Sequence, residues 1–200
     1  MAVGNSSNAI YYSIADGKIC RQFKEATANS KSRVNKNART VHEEFYDYVD
    51  GLITEINTKE NDFGKFWMIT LMDGDQTQIL QMNYSSGYSN AFLKCLPNVD
   101  LKSKVKIIPS QKQEGDKKKT SIFITQHGTP VKWYFTKDNP NGLPQLQQVK
   151  VKGKMTWDDS DCMEFLEKMV NERIKPNLPK TAGATDAEPQ EVENMEEAPF

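Results

Sequence analysis

The sequence predicts a mainly β protein built around a small five-stranded barrel. Three observations lead to this prediction. Segments in which apolar and polar residues alternate fill residues 43–135, turn signals separate these segments, and one short helical segment falls between the third and the fourth strand. The predicted organisation is an N-terminal hairpin with a basic arm (1–42), the barrel (43–135), an added strand with a C-terminal helix (136–176), and a disordered acidic tail (177–200).

The first predicted element is a β-hairpin. Residues 10–15 and 18–23 have strand composition, and Asp16-Gly17 between them supplies the positive φ angles of a two-residue turn. Residues 24–40 have no apolar period, which indicates a mobile arm. Between Lys18 and Thr40 there are seven basic residues and one acidic residue. Such a block is typical of either a solvated loop or a nucleic-acid contact, and both interpretations stay open. Its candidate contacts are Arg21, Lys24, Arg33, Lys36 and Arg39.

The barrel is predicted from five strands and one helix. The strands are expected at residues 45–56, 63–72, 75–84, 104–109 and 120–125. Gly51 interrupts the first strand and permits a sharp bend or bulge at a barrel corner. Asp73-Gly74 forms the second tight turn, and the helix runs from Asn90 to Leu96, between a Ser89 cap and Pro97. This order of elements is that of an oligonucleotide-binding (OB) barrel.

Two elements are expected after the barrel. Residues 131–135 have the composition of an added strand. A helix capped by Asp159 or Ser160 then runs to Pro176. Its apolar residues fall on one face with helical spacing, which favours a packing face over a cofactor site. These residues are Met163, Leu166, Met169, Val170 and Ile174.

The charge of the chain is strongly polarised. The net charge is −1, but six of the 27 acidic residues and none of the 26 basic residues lie in 181–200. The tail therefore carries about −6 and residues 1–180 about +5. An acidic segment ending in Pro199-Phe200 suits capture by a basic, apolar pocket, either on a partner or on the protein itself. A frayed terminus without a role is the alternative.

Little in the sequence supports catalysis or a cofactor. His42 and His127 are the only histidines and lie in no metal-ligand spacing, and neither a phosphate loop nor a nucleophile elbow occurs. We therefore expect no catalytic residue, no metal and no cofactor. The three cysteines form no Cys-x-x-Cys pair, which favours a reducing cytoplasm. Neither a secretion signal nor an 18-residue apolar run is present, so we expect no membrane association.

A binding site for an unpaired nucleic-acid strand needs cations along the phosphates and exposed rings for base stacking. In an OB barrel these groups lie on the second and third strands and in two flanking loops. The candidates there are Lys59, Phe63, Lys65, Trp67, Tyr84, Tyr88, Lys117, Lys118 and Lys119. Because neighbouring strand residues face opposite ways, Phe66 and Trp67 cannot both stack. We assign Trp67 to the groove, and a buried tryptophan is the alternative. Lys132 and Trp133 form a second basic and aromatic patch.

The tail carries a resemblance to a known family. Glu196, Glu197, Ala198, Pro199 and Phe200 resemble the acidic ending of replicative single-stranded DNA-binding proteins, most closely a bacteriophage or plasmid type. The resemblance implies an OB fold and a tail in which Glu196, Glu197, Pro199 and Phe200 bind partner proteins. Glutamates in place of the aspartates common in this family, a short linker and the N-terminal hairpin depart from the bacterial pattern and put its tetramer in doubt.

The expected function is therefore sequence-independent binding and protection of single-stranded DNA during replication, recombination or repair. The expected partners are single-stranded DNA and, through the tail, replication or recombination proteins in the cytoplasm, or in the host cytoplasm for a viral protein. A homo-oligomer is compatible with the sequence. Two alternatives stay open, an RNA-binding OB-fold protein and a non-catalytic phage adaptor or assembly protein.

Overall fold

A computed structural model describes residues 9–35, 38–151 and 153–179. The fold is mainly β, as the sequence predicts, with ten strands in one mixed sheet, two strands in a separate sheet, and two α-helices. The strands are β1 (Ile10–Ala15), β2 (Lys18–Phe23), β3 (Lys31–Val34), β4 (Thr40–Tyr46), β5 (Val49–Asn61), β6 (Gly64–Asp73), β7 (Gln76–Asn83), β8 (Val105–Glu114), β9 (Lys117–Gln126), β10 (Thr129–Pro130), β11 (Gln147–Val151) and β12 (Lys154–Asp158). The predicted acidic tail lies almost wholly outside the described residues.

The N-terminal hairpin has the predicted bounds. Asp16 and Gly17 adopt φ angles of 47° and 75°, the left-handed conformation that a tight two-residue hairpin turn requires. The hairpin joins the large sheet through a parallel ladder, in which Tyr11 of β1 pairs with Ile79 of β7. Its turn packs against β8, since a Cβ atom on Gly17 would lie 2.7 Å from the backbone nitrogen of Gln111. The hairpin is thus part of the sheet.

The prediction of a mobile basic arm is wrong for part of its length. Residues 31–34 form β3, which pairs with β4 in an antiparallel ladder from Lys31↔Glu43 to Val34↔Thr40. The guanidinium of Arg33 donates two hydrogen bonds of 2.9 Å to the carboxylate of Glu43. This bidentate pair supplies the anchor that the sequence pattern lacks, because an apolar period is not needed where a buried carboxylate holds the strand.

The first barrel strand differs from its prediction in two ways. It is divided at residues 47–48 into β4 and β5, and β5 continues to Asn61, so that the predicted loop is mostly strand. Gly51 ends the pairing of β5 with β8, and Leu52 begins the pairing with β6. The irregularity in this ladder lies between Ile53 and Glu55 instead of at Gly51.

Residues 110–119 form paired strand where the sequence predicts a loop. The ladder between β8 and β9 runs from Lys106↔Thr125 to Glu114↔Lys117, and only residues 115–116 form the turn. Gly115 takes the positive φ of 60° that this turn requires. The basic residues of the predicted loop are therefore held at fixed strand positions.

The strand order of the large sheet is β10-β9-β8-β5-β6-β7-β1-β2-β4-β3. Because β5 pairs with β6 along most of its length and with β8 near its start, the sheet wraps around a core. Among the described residues, no ladder joins the two ends into a closed barrel. The structure thus supports a curved, open mixed sheet.

The helices cover the core that the curved sheet encloses. Helix α1 spans Gly87–Cys95, begins at a Ser86 cap that accepts a hydrogen bond from the Ser89 amide, and buries Phe92 and Leu93. Helix α2 spans Ser160–Met169 and continues through a π-helical turn, Val170–Ile174. All five residues of its predicted apolar face are buried in the same core, which confirms that this face serves packing.

The region between β9 and α2 differs from its prediction. Residues 131–135 are not a strand; only Thr129–Pro130 add a short strand, β10, at the edge of β9. Phe135 is buried against Phe165 of α2 in an edge-on ring contact with centroids 5.8 Å apart. Strands β11 and β12 then form a hairpin of their own, separate from the large sheet.

Candidate nucleic-acid interface

The aromatic residues predicted on the second and third barrel strands face the interior. Trp67 is 1% exposed, and its ring stacks on that of Tyr84 with centroids 5.6 Å apart and planes 7° apart. The assignment of Trp67 to an open groove is therefore corrected, because a ring in this position cannot receive a base. Its Nε1 has no hydrogen-bond partner among the described residues.

Helix α2 covers this pair of rings through one carboxylate. Glu167 accepts hydrogen bonds of 2.6 Å from Lys65 Nζ and from the hydroxyl of Tyr84, and one of 3.2 Å from Thr58. Burial raises the pKa of the Glu167 carboxyl, but these donors outweigh it and hold the pKa below its usual value. The pKa of Tyr84 is raised, first by burial and then by its hydrogen bond to Glu167 and the negative charge of that carboxylate. Lys65 is thus neutralised by an internal partner, which removes it from the candidate phosphate contacts.

Tyr88 also has a structural partner. Its hydroxyl accepts a hydrogen bond of 3.0 Å from the amide of Gly17, and burial raises its pKa. Lys59 and Phe63 are exposed near the turn between β5 and β6, and Phe63 is 69% exposed. Lys59 and Phe63 are thus exposed, whereas Lys65, Tyr84 and Tyr88 are partly buried and hydrogen-bonded within the protein.

The predicted basic contacts of the N-terminal region are dispersed over β2 and β3. The Arg21 guanidinium lies 4.5 Å from the centroid of the Phe23 ring, whereas Arg33 is held by Glu43. Lys24 is exposed beyond β2, and the backbone amide of Arg39 donates to the Asn35 side chain. Lys36 lies outside the described residues, as do Glu196, Glu197, Pro199 and Phe200 of the tail.

The patch formed by Lys132 and Trp133 lies beside α1. Trp133 is 42% exposed, and Lys94 Nζ of α1 lies 5.8 Å from its ring centroid. Helix α1 packs on the core side of β9, where a Cβ atom on Gly87 would meet Thr120. This patch is therefore separate from the outer face of β9.

The outer face of β8 and β9 brings cations and an aromatic ring together. Alternation along the ladder turns every second residue of the two strands away from the core. The outward residues are Lys106, Ile108, Ser110, Lys112 and Glu114 on β8 and Lys117, Lys119, Ser121, Phe123 and Thr125 on β9. We call this set the lysine face. Lys118 points to the other side, where its Nζ lies 3.4 Å from Asp16.

Lys112 and Lys119 are directly opposite one another on the lysine face. Like charges at opposite positions destabilise an antiparallel pair, so the fold gains nothing from this arrangement. Glu114 lies 3.3 Å from Lys119 Nζ, but both side chains are more than half exposed, and such a pair contributes little. Two ammonium groups held side by side suit the oxygens of a polyanion.

Two exposed rings lie farther along the β8–β9 ladder, toward Lys106. Phe123 is 52% exposed and pairs with Ile108 across the ladder. Tyr48, just before β5, is 46% exposed, and Lys106 Nζ lies 4.0 Å from its ring centroid. The face therefore offers two surfaces for stacking beside the cations.

Sequence reasoning missed Lys106, Lys112 and Phe123 of this face and the neighbouring ring of Tyr48. A signal for one of them was present, because Ile122 and Ile124 flank Phe123 and alternation places a residue between two core positions on the outside. The signal for Lys112 was hidden by the prediction of a loop at 110–119.

The described residues include buried cysteines and side chains of the kinds that bind metal ions. Within residues 9–35, 38–151 and 153–179, no three His, Cys, Asp or Glu side chains are grouped so that they could hold a metal ion. Burial raises the pKa of the Cys20 thiol to about 11 and that of Cys95 to about 12, which keeps both thiols protonated at neutral pH. No helix in the described part of the chain has the length and apolarity needed to cross a bilayer.

Comparison of the chain with protein-family models, with curated proteins and with solved structures found no match.

Proposed function

We propose that this protein binds single-stranded DNA without sequence preference and protects it during replication, recombination or repair. The strand lies along the lysine face, where Lys112 and Lys119 contact phosphates and Phe123 stacks on a base. The observation that carries the proposal is the pair of directly opposed lysines on a face that also exposes the Phe123 ring. Glu114 offsets the repulsion between the two ammonium groups only weakly, because its ion pair with Lys119 is exposed, and a bound polyanion would relieve that repulsion further.

The order of the strands supports a finer description of the fold. We infer that β5 to β9 with α1 form an OB-type barrel, in which β5 is the first strand and pairs with the second, β6, and the fourth, β8. The β1–β2 hairpin is then an addition beside β7. In OB folds the loops after the first and the fourth strand contribute to oligonucleotide binding. In this chain those positions are the β5–β6 turn with Lys59 and Phe63, and the outer part of the β8–β9 hairpin.

The kinds of side chain on the face account for the absence of sequence preference. Ammonium groups contact phosphates, which carry no sequence information, and a phenyl ring stacks on any base. The role is binding without catalysis. RNA, the alternative ligand, differs from DNA in the sugar, and neither a lysine nor the face of an aromatic ring distinguishes the two sugars. The preference for DNA rests on the resemblance of the tail.

The acidic tail gives the proposal its second part. Residues 181–200 carry six acidic and no basic residues, and we infer that they bind replication or recombination proteins. In the free protein the tail competes with DNA for the basic surface. DNA then displaces the tail and makes it available to those partners.

The decisive experiment is a titration with poly(dT) at several salt concentrations. We expect Lys112→Gln combined with Lys119→Gln to reduce the log-log salt slope by about 1.4, since each neutralised phosphate of a single strand contributes about 0.7. Lys118→Gln is the matched control, because Lys118 is on the same strand and faces away from the other two. Equal slopes in all of these proteins would refute the assignment of this face, and a competition with poly(U) tests the RNA alternative.

A further inference from the structure

The hairpin of β11 and β12 exposes large apolar side chains. Trp157 is 61% exposed and Met155 60%. The hairpin forms a two-stranded sheet of its own, with the turn at Gly153 taking a φ of 85°. The side-chain amide of Gln147 donates a hydrogen bond of 3.1 Å to the carboxylate of Asp161 at the start of α2. Because an isolated two-stranded hairpin is of marginal stability in water, an exposed tryptophan and methionine on it point to a ligand.

The register places these side chains on one face. Gln148 pairs with Trp157, and Lys150 pairs with Met155. Directly opposed residues of an antiparallel pair project to the same side, and so do residues two apart on one strand. One face of the hairpin therefore carries a ring, a thioether, an amide and an ammonium group.

The charge of the β11–β12 hairpin indicates which kind of ligand it can bind. The hairpin, residues 147–158, contains three lysines, at positions 150, 152 and 154, and one acidic residue, Asp158 at the end of β12. Alternation places Asp158 on the face opposite Trp157 and Met155. Repulsion between like charges opposes edge pairing with the same hairpin of a second copy, as lysines do on natural edge strands. A polyanion with flat apolar groups complements both the charge and the ring. An unpaired nucleic-acid strand has both properties.

We propose that the β11–β12 hairpin is a second contact for single-stranded DNA, in which Trp157 stacks on a base and Lys150 contacts a phosphate. This inference rests on the proposed function and extends it to a site outside the OB-type strands. The hairpin and the lysine face bind the same strand at separate places. Met155 widens the apolar surface beside the stacked base.

The test uses the full-length protein and poly(dT). We expect Trp157→Ala to lower the affinity about 5- to 100-fold, the range of one base stacked on an aromatic side chain, and Trp157→Phe to retain most of it. Phe45→Ala is the matched control, because Phe45 is also a partly exposed ring, at 38%, and lies on β4, outside both proposed contacts. Lys150→Gln is expected to reduce the salt slope by about 0.7.

The outcomes separate this inference from the proposed function. If the unaltered protein does not bind poly(dT) at low salt, the proposed function fails and this inference fails with it. If the lysine variants weaken binding and Trp157→Ala does not, only the hairpin inference is overturned. Loss of a dimer in sedimentation, with unchanged DNA affinity in Trp157→Ala, would also overturn it, because the hairpin would then be an interface between copies.

Discussion

Glu167 joins helix α2 to two strands of the sheet. Its carboxylate receives donors from Thr58 on β5, Lys65 on β6 and Tyr84 just after β7. The Tyr84 ring stacks on the buried Trp67 ring, and Lys65 Nζ lies 4.3 Å from the centroid of the Tyr84 ring. The three donors favour the charged form of the carboxylate more than partial burial disfavours it. Glu167 therefore holds helix α2 against the strands that carry the stacked rings of Trp67 and Tyr84.

Replacing Glu167 tests this role at the residue scale. We expect Glu167→Gln to lower the free energy of unfolding by about 1–2 kcal/mol at neutral pH, because hydrogen bonds to a charged group are lost. The pKa of Glu167 is lower in the folded state than in the unfolded state. Its stabilisation is therefore fully present above the unfolded value, near about 4.3, and is lost as the pH falls through the folded value.

The measurement is urea unfolding of both proteins at neutral and at acidic pH. The difference between them should shrink as the pH falls below about 4. Glu164→Gln, an exposed position on the same helix, serves as control and should change stability by less than about 0.5 kcal/mol. A difference that is constant over this pH range would contradict the role of the charge.

At the scale of elements, β5 shows how one strand serves two neighbours. Its first residues pair with β8 and the rest pair with β6, and the change occurs between Gly51 and Leu52. Here β5 and β6 approach so closely that a Cβ atom on Gly51 would lie 2.9 Å from the carbonyl oxygen of Met72. Glycine is required at position 51 because any side chain there would collide with the backbone of Met72.

We expect Gly51→Ala to cost about 1–3 kcal/mol in unfolding free energy, the range for overpacking against atoms that cannot move aside. The contact is with backbone, so no rotamer change relieves it. Thermal or urea unfolding measures the loss. Glu60→Ala, an exposed position on the same strand, controls for the effect of alanine in β5. A Gly51→Ala protein as stable as this control would show that the strands separate at little cost.

The β8–β9 hairpin shows how a loop that was wrongly predicted can hide a candidate site. Residues 110–119 are rich in lysine and glutamine and contain Gly115, a composition that favours a loop. Their backbone nevertheless continues the ladder that the apolar residues between Val105 and Pro109 begin. Pairing with a neighbouring strand overrides the local preference, because each added residue satisfies backbone hydrogen bonds already aligned.

At the scale of the whole molecule, charge is separated along the chain. Residues 1–180 carry about +5 and residues 181–200 about −6. The acidic segment and an external anionic ligand therefore compete for the basic surface. This competition is strongest at low salt, where the charges are not screened. The net charge of −1 conceals this separation.

Removal of residues 181–200 tests the competition. We expect the shortened protein to bind poly(dT) more tightly at low salt, because the six acidic residues no longer occupy the basic surface or repel the ligand. The gain should diminish as salt approaches about 1 M, where the Debye length falls to about 3 Å. Fluorescence titration of both proteins at matched salt measures the difference. Equal affinities at low salt would contradict competition by the tail.

The sequence determined the local features of this protein. The Asp16-Gly17 turn, the strands on either side of it and the buried face of α2 follow from short-range patterns, since turn geometry and helical or strand period are encoded by neighbouring residues. The mainly β class follows from the same patterns. The charge separation needs no structure, because charges are read directly from composition.

Tertiary structure decided which side chains are available to a ligand. The sequence cannot tell that the stacked rings of Trp67 and Tyr84 lie beneath Glu167, because Glu167 is 83 positions from Tyr84 and 102 positions from Lys65 in the chain. Nor can it place Lys112 opposite Lys119, since the register depends on the pairing of whole strands. Burial and strand register are properties of contacts distant in sequence, and on this chain they moved the candidate interface from β6 and β7 to the outer face of β8 and β9.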